Sequence, residues 1–515
     1  MSQEESQKRI EELEQQVLIL TQQLDYLKRQ LYGRKSEQID HPELFGEDVP
    51  GKDGSSGATS APEEDDASGG ESPKTKGNRK RPIRKDRLPE HLPTRTEEIT
   101  PAEVLAAPSK WCQAGYEESF QLEKEPGYFY LRCIRRLKFR LVDNPLVPPI
   151  IEPARPAMID GGFWGPGLLA EVLANKYLYH LPLDRQRVLH LQRHGVDLSP
   201  STMGDAVEKI ADQCGILVTR MKQRMLESGY VRADETFIRY LDRLEPGGSS
   251  RGYFWVYRSR DGDAIFHWTT TREHHHAAEW FGPDYEGIVQ SDGYEAYVNY
   301  SNAQRLQGKD VTRVACMAHI RRKFEKAQAE RPAVSGWILR IIAQLYRIET
   351  TLRDHGASAE VRARVRQNQS RPLINLLNKA FKHLSITLPI LPKSGLGKAL
   401  EYALGQMPDI QPYLEDGRIE IDNNDVENDI RPSAVGKKNW MFVGSPDAGQ
   451  RSAVIYTLLM SARNHGVDPQ AYLRAVIEYL PGAKPNEIDV LLPANWAAAN
   501  RHAHPAIKSN TPRVA

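Results

Sequence analysis

Three acidic residues stand in settings that suit metal-dependent chemistry. Asp234 lies near the start of an alternating stretch, residues 231–240, in which Val231, Ala233, Phe237 and Ile238 supply the apolar positions of a strand inside a globular domain. An unpaired buried charge is costly, so a carboxylate there needs a partner or a metal ion. Asp292 ends a second short strand-like stretch and is followed by Gly293 and Tyr294. Glu427 falls in a segment dense in acids and amides, residues 421–428. Mg²⁺ is a hard ion that prefers oxygen ligands, and two such ions about 4 Å apart can activate an attacking oxygen and stabilise a leaving one. The expectation is that Asp234, Asp292 and Glu427 converge on divalent ions and cut phosphodiester bonds.

The elements that must position these acids follow from the stretches between them. After Asp234, residues 253–257 and 264–268 are aromatic and β-branched and flank a Gly/Asp turn, which predicts a hairpin. Residues 287–290 form a strand ending at Asp292, and 311–315 another that runs into Cys316, His319 and a basic helix containing Arg321 and Arg322. Residues 337–406 are helical, with Ile338, Ile341, Ile342, Leu345 and Leu352 on one face, and read as an insertion in a smaller core, about 330–415. Strand acid, hairpin, strand-end acid and helical acid is the order in which a ribonuclease-H-like α/β fold brings carboxylates together. Residues 229–465 are therefore expected to form the catalytic domain, with a helical tail over 466–515. The run His274-His275-His276 reads as a solvated helix start, because adjacent histidines cannot easily all face one ion.

The N-terminal half is organised differently. Ile10, Leu13, Val17, Leu20, Leu24, Leu27 and Leu31 recur three and four residues apart, the seam of a coiled coil, so 1–38 is expected to self-associate. Residues 39–95 are rich in Gly, Ser, Pro and acids, with a basic second half, and predict a tether. Residues 96–155 suggest a small β-rich module with strands at 128–134 and 137–141. Zinc needs four ligands, usually as two close pairs, and Cys112 and Cys133 stand alone, so no metal is expected there. Residues 156–228 turn helical. Gly195 separates two helices, with Ser199 as N-cap and Pro200 at the first position of the second, an outline shared by a helix-turn-helix and a plain helical hairpin. The whole is a multidomain α+β chain.

Composition narrows the class without fixing it. A net charge of +1 says nothing about nucleic acid by itself, but acidic residues 63–66 are followed closely by a basic run over 74–87. Four widely spaced cysteines argue against a disulfide scaffold and fit a reducing cytosol. No apolar run reaches the roughly 18 residues of a membrane span, so no membrane partner and a cytoplasmic location are expected.

The motifs together resemble one family. Leu31-Tyr32-Gly33-Arg34-Lys35-Ser36-Glu37 follows the heptads; Ala233-Asp234-Glu235-Thr236 and Asp292-Gly293-Tyr294 hold two acids; Cys316-Met317-Ala318-His319-Ile320-Arg321-Arg322-Lys323-Phe324 opens the basic helix. Residues 421–424 lead through Glu427 and Arg431-Pro432 to Gly436-Lys437-Lys438-Asn439-Trp440. They resemble the transposases of the insertion-sequence-66 family, bacterial DDE enzymes, over nearly the whole chain. The resemblance implies that Asp234, Asp292 and Glu427 are the catalytic and metal-binding triad, with Mg²⁺, or Mn²⁺ as a substitute, exposing 3′ hydroxyls at element ends and joining them to target DNA. It implies double-stranded DNA, the terminal repeats and the target, as partner, with companion proteins encoded by the same element as further partners. Relatives usually carry a cysteine-rich zinc ribbon near 110–140, of which only Cys112 and Cys133 remain. Arg431, one helical turn after Glu427, is a candidate to hold that carboxylate or a phosphate. Lys437, Lys438, His319, Arg321 and Arg322 are candidate DNA contacts. A transposase-derived DNA-binding regulator without catalysis, and a metal-dependent nuclease without strand transfer, are the competing readings.

Overall fold

The computed structural model describes residues 92–503 apart from 126, 144–146, 243–247 and 388–389; the expected coiled coil over 10–31 and nearly all of the 39–95 linker lie outside the described residues. Two sheets organise the rest. The first contains β1 (Thr94–Ile99), β2 (Trp111–Glu125), β3 (Tyr128–Leu141) and β4 (Ile150–Ile151), with β3 between β1 and β2 and β4 also paired to β3. A short helix, α1 (Ala102–Ala106), joins β1 to β2.

Where two strands were expected at 128–134 and 137–141, there is one. Arg135 and Arg136, between the two expected strands, stay in the strand because Glu118 and Glu117 face them across the antiparallel pair at 2.6 and 2.8 Å. β2 escaped the sequence reading because its core alternation is weak. The register places Cys133 opposite Phe120, while Cys112 is at the far end of β2 opposite Arg140. At about 3.3 Å per residue the two cysteines are some 26 Å apart along the ladder, too far to share an ion.

Three helices follow: α2 (Pro166–Tyr177), α3 (Leu183–His194) and α4 (Pro200–Glu227). Gly195 ends α3 in the left-handed conformation, φ 66°, which a residue without a Cβ adopts at little cost. Pro200 opens α4 as expected, but Ser199 does not cap it through its side chain; its hydroxyl pairs with that of Ser201 at 2.7 Å. Met203, Ile210, Cys214, Leu217, Met221 and Met225 form the buried stripe of α4, in one continuous core with the second sheet.

That sheet runs in the order β7 (Ala264–Thr269), β6 (Ser249–Arg258), β5 (Tyr230–Leu241), β8 (Gly287–Ser291), β9 (Val311–Ala315). β5, β6 and β7 are antiparallel neighbours, whereas β8 and β9 run parallel to β5 through the crossovers that contain α5 (His275–Phe281) and α6 (Glu295–Leu306). Tyr230, Val231, Arg232 and Ala233 are all buried, so both faces at the start of β5 are covered. Phe237, counted among the apolar strand positions, is instead 37% exposed.

After β9 come α7 (Met317–Ala327) and then α8 (Pro332–Asp354), α9 (Ala359–Val365), α10 (Arg371–Thr387), α11 (Gly395–Gln406) and α12 (Gln411–Glu415), occupying the stretch expected as an insertion. α13 (Asn424–Trp440) returns to the sheet, and α14 (Pro446–Asn464), α15 (Pro469–Tyr479) and α16 (Pro493–Asn500) close the chain. α14 covers the exposed edge of β7. The Ser461 hydroxyl meets the backbone N–H and C=O of Ala264 at 2.9 and 3.1 Å, and Thr457 accepts from the Phe266 N–H at 2.9 Å, so side chains of α14 occupy backbone groups that another strand would need. Among the described residues no helix is long and apolar enough to cross a membrane.

Candidate carboxylate metal site

The sequence supplies four acids within residues 422–429, and packing separates their tasks. Asp425 and Asp429 lie four residues apart on one face of α13. Asp425 pairs with Arg232 of β5 at 3.0 Å; Asp429, almost fully buried, accepts from Arg258 of β6, from Arg463 at 3.4 Å and from Asn464 at 2.9 Å. Arg463 serves α13 a second time. Pro432 has no N–H to offer the Asn428 carbonyl, and the Arg463 guanidinium donates to that carbonyl at 3.3 Å instead.

The start of α13 is pinned beside Asp234. Asn423 is fully buried and donates from Nδ2 to the Ala233 carbonyl at 2.7 Å, while its N–H meets Cys316 Sγ at 3.2 Å. The Met317 N–H, at the start of α7, donates to the Ile421 carbonyl at 3.1 Å. Strand β5, helix α7 and helix α13 are thereby fixed at one point, and Glu427 is turned toward Asp234.

The three expected acids come together around Asp234. Ligand atoms of Asp234, His319 and Glu427 lie within 4.8 Å of one another, and so do those of Asp234, Glu235 and Asp292. The donors are mostly carboxylate oxygens, the set a hard divalent ion selects. Their electrostatics ask for a cation: burial, reinforced by the charges of Glu235, Asp292 and Glu427, raises the Asp234 carboxyl well above the usual carboxylate range. His319 presents Nε2 at 3.9 Å from Glu427, and its Nδ1 is buried without a hydrogen-bond partner. Burial, then the neighbouring Arg322, holds its imidazole below the usual basicity, leaving a neutral ring suited to ligation.

Asp292 is set by its surroundings on two sides. Its Oδ1 accepts from the Tyr294 N–H at 2.9 Å, an Asx turn, and its carbonyl receives Arg313 of β9 at 3.4 Å. Gly293 permits the turn to touch α11: its N–H donates to the Tyr402 hydroxyl at 3.3 Å, and a Cβ there would meet Gln406 Nε2 at 2.7 Å.

The sequence reading missed several residues of this site. Glu235 stands in the Ala233–Thr236 motif without an expected role; alternation directs it to the sheet face opposite Asp234, yet its side chain is only 3% exposed and reaches the same cluster. Arg272 and the Tyr297 hydroxyl hold it, the latter at 3.2 Å, and Arg272 stacks on the Tyr294 ring at 3.8 Å. Burial raises the Glu235 carboxyl, with Asp292 adding to the shift and Arg272 opposing it. Asn423 stands in the motif over 421–424, but its task as a clamp on β5 shows only in the tertiary contact, as does the place of Arg272.

The expected basic contacts divide. Arg322 pairs with Glu427, the task first considered for Arg431, which instead stands exposed on α13. Arg321 points elsewhere, pairing with Glu325 at 2.9 Å and lying 5.9 Å from the Tyr346 ring. Lys437 lies over the Phe237 ring at 3.9 Å, and Lys438 is exposed.

Comparison with known proteins shows what the chain is similar to. Residues 161–451 match the family model described as "Transposase IS66 family", residues 457–494 the "IS66 C-terminal element", and residues 19–96 "Transposase C of IS166 homeodomain". Among curated relatives, the uncharacterized proteins y4jD and y4qI of Sinorhizobium fredii are 29% and 31% identical to this chain over 507 and 420 residues. These alignments cover 95% and 78% of this chain, and 96% and 76% of the relatives. With more than half its length matched by a single family model, the chain belongs to the IS66 family of transposases.

Proposed function

We propose that this transposase cuts DNA at the ends of its element and joins the resulting 3′ hydroxyls to target DNA, with Asp234, Asp292 and Glu427 as catalytic acids in a ribonuclease-H-like domain. The observation that supports this most is the convergence of the three acids on Asp234, from the central strand, the end of its parallel neighbour and a helix that follows an insertion. Asp234, Asp292 and Glu427 would hold Mg²⁺, with Mn²⁺ as a substitute, and the bound ions would polarise the attacking oxygen and the phosphate. Arg322 holds Glu427 in place, Arg272 holds Glu235, and the Asn423 clamp keeps α13 against β5.

DNA then follows the exposed side of α13. Arg431 and Lys438 stand on that helix beyond Glu427, and at 1.5 Å per residue Lys438 lies about 17 Å from the acid, so these cations would grip phosphates away from the reacting bond. On α3, the exposed Arg185, Gln192 and Arg193 fit a second DNA contact. Labelled element ends incubated with the full chain and Mg²⁺ test the reading. Nicked ends and joined products support it, end binding without either product would mean a regulator, and nicking without joining a nuclease.

Glu235 is expected to act by positioning. Glu235→Gln should raise the Mg²⁺ concentration for half-maximal cleavage by about 10- to 100-fold, with most of the rate recovered at saturating Mg²⁺. A Mg²⁺ titration of cleavage decides, and an unshifted midpoint would remove Glu235 from the site.

Two ends must be held together for transposition, and we assign that task to the heptads over 10–31. Leu24→Pro breaks a helix interior at roughly 3 kcal/mol. The variant should sediment as a smaller species at micromolar concentration, with the circular dichroism of the remaining chain unchanged. An unaltered mass would exclude the heptads as the oligomerisation element.

A further inference from the structure

We propose that His275, His276 and Glu279 form a second metal site, separate from the carboxylate cluster, for a borderline transition ion of the Zn²⁺ class. The sequence reading set the histidine run aside because three adjacent rings cannot share an ion. Folding removes that objection by dividing them: His274 is exposed just ahead of α5, whereas ligand atoms of His275, His276 and Glu279 all lie within 4.8 Å of one another. His276 Nδ1 is 3.5 Å from one Glu279 oxygen and His275 Nε2 is 3.9 Å from the other. Side-chain rotations of a few tenths of an ångström to an ångström bring such a set to the roughly 2.0–2.1 Å ligand distances of zinc.

The nitrogens facing away from this point have partners as well. His276 Nε2 lies 2.8 Å from the Thr271 hydroxyl, and His275 Nδ1 lies 3.3 Å from a Glu273 oxygen. Ligating histidines characteristically use the second ring nitrogen in this way, and a carboxylate there raises the ring's donor strength. The arrangement is not a by-product of a loose surface loop. His276 is only 15% exposed in its side chain and packs 6.1 Å from Trp255. Two imidazoles and one carboxylate with a fourth position open to water are the ligand set of a three-residue zinc site. Mg²⁺ competes poorly for imidazole, so this site and the carboxylate cluster select different ions.

The full chain can be titrated with Co²⁺ in excess Mg²⁺ and read by the intense visible absorption of tetrahedral cobalt. One saturable Co²⁺ per chain, displaced by Zn²⁺, is the expected result. Binding should weaken at least tenfold in His276→Gln and in His275→Gln, and should persist in Cys112→Ser, Cys133→Ser and Asp234→Asn. Zn²⁺ should raise the melting temperature of the parent protein and not that of the His275→Gln variant, which alters a half-exposed residue and leaves the core intact. No saturable binding, or binding that survives both histidine substitutions, overturns the proposal. None of these readouts requires transposition, so the proposal can fail while the assigned reaction stands.

Discussion

Asp234→Asn is expected to lower DNA cleavage by about 10⁴-fold or more, the scale on which removing one member of a catalytic unit acts. Asp292→Asn and Glu427→Gln should do the same, while end binding stays largely intact because the phosphate contacts lie on other residues. Activity on pre-cut and uncut ends is the measurement, and substantial turnover in any one variant would remove that residue from the triad. Asp234→Asn carries a second, opposite signature. The Asp234 carboxyl is raised by burial and by three neighbouring acids, so its ionised form disfavours the metal-free fold. That penalty is fully present above the raised value, shrinks as pH falls below it and is gone only below the ordinary carboxylate range of the unfolded chain. In chelator at neutral pH the variant should therefore melt at a higher temperature than the parent, and the gap should narrow on acidification. A variant that melts lower under those conditions would show that the cluster is not under electrostatic strain.

Glu349→Ala should destabilise the protein by roughly 3–5 kcal/mol, the cost of leaving a buried charge without its partner. Glu349 is fully buried on α8. Its Oε1 accepts from Arg366 Nε at 2.7 Å and the Tyr413 hydroxyl at 2.6 Å, and its Oε2 from Arg366 at 2.8 Å and Arg362 at 3.1 Å. Burial pushes its carboxyl up, but the two arginines and Tyr413 outweigh it and leave the group below its ordinary value. Arg366 also donates to the carbonyls of Tyr413 and Asp416, which ties α8, α9 and α12 into one body. Urea denaturation measures the loss, and a triple replacement of Glu349, Arg362 and Arg366 by Met should recover much of it, since an apolar substitute of similar volume avoids the desolvation cost. If Glu349→Ala costs under about 1 kcal/mol, the network does not hold the insertion. The network also reaches the second sheet: Arg362 pairs with Glu420 at 2.8 Å, and the Glu420 N–H and carbonyl meet the Tyr230 hydroxyl at the start of β5 and Gln290 Nε2, two residues before Asp292, at 3.0 and 2.7 Å.

The sequence by itself determined the settings of Asp234, Asp292 and Glu427, the hairpin after Asp234, the strand leading to Asp292 and the helical stretch that delays Glu427. Each rests on a local period or a short motif, and such signals survive without knowledge of distant partners. Which acid on α13 faces the site was a tertiary matter. Asp425 and Asp429 carry the same charge as Glu427, but Arg232, Arg258 and Arg463 draw them to the sheet and to α14, whereas Glu427, paired with Arg322, reaches Asp234. Glu235 was hidden by its own strand: alternation turns it away from Asp234, and the cluster forms because Arg272 and Tyr297, from separate elements, draw its long side chain to Asp292. The histidine run was expected as a solvated helix start, and α5 does begin at His275 with His274 exposed; that helix geometry also brings His275 and His276 to Glu279 appears only in the folded molecule. Contacts between residues far apart in the chain carry no period, and for that reason the partners of each charge, and with them its chemistry, were decided only in the folded molecule.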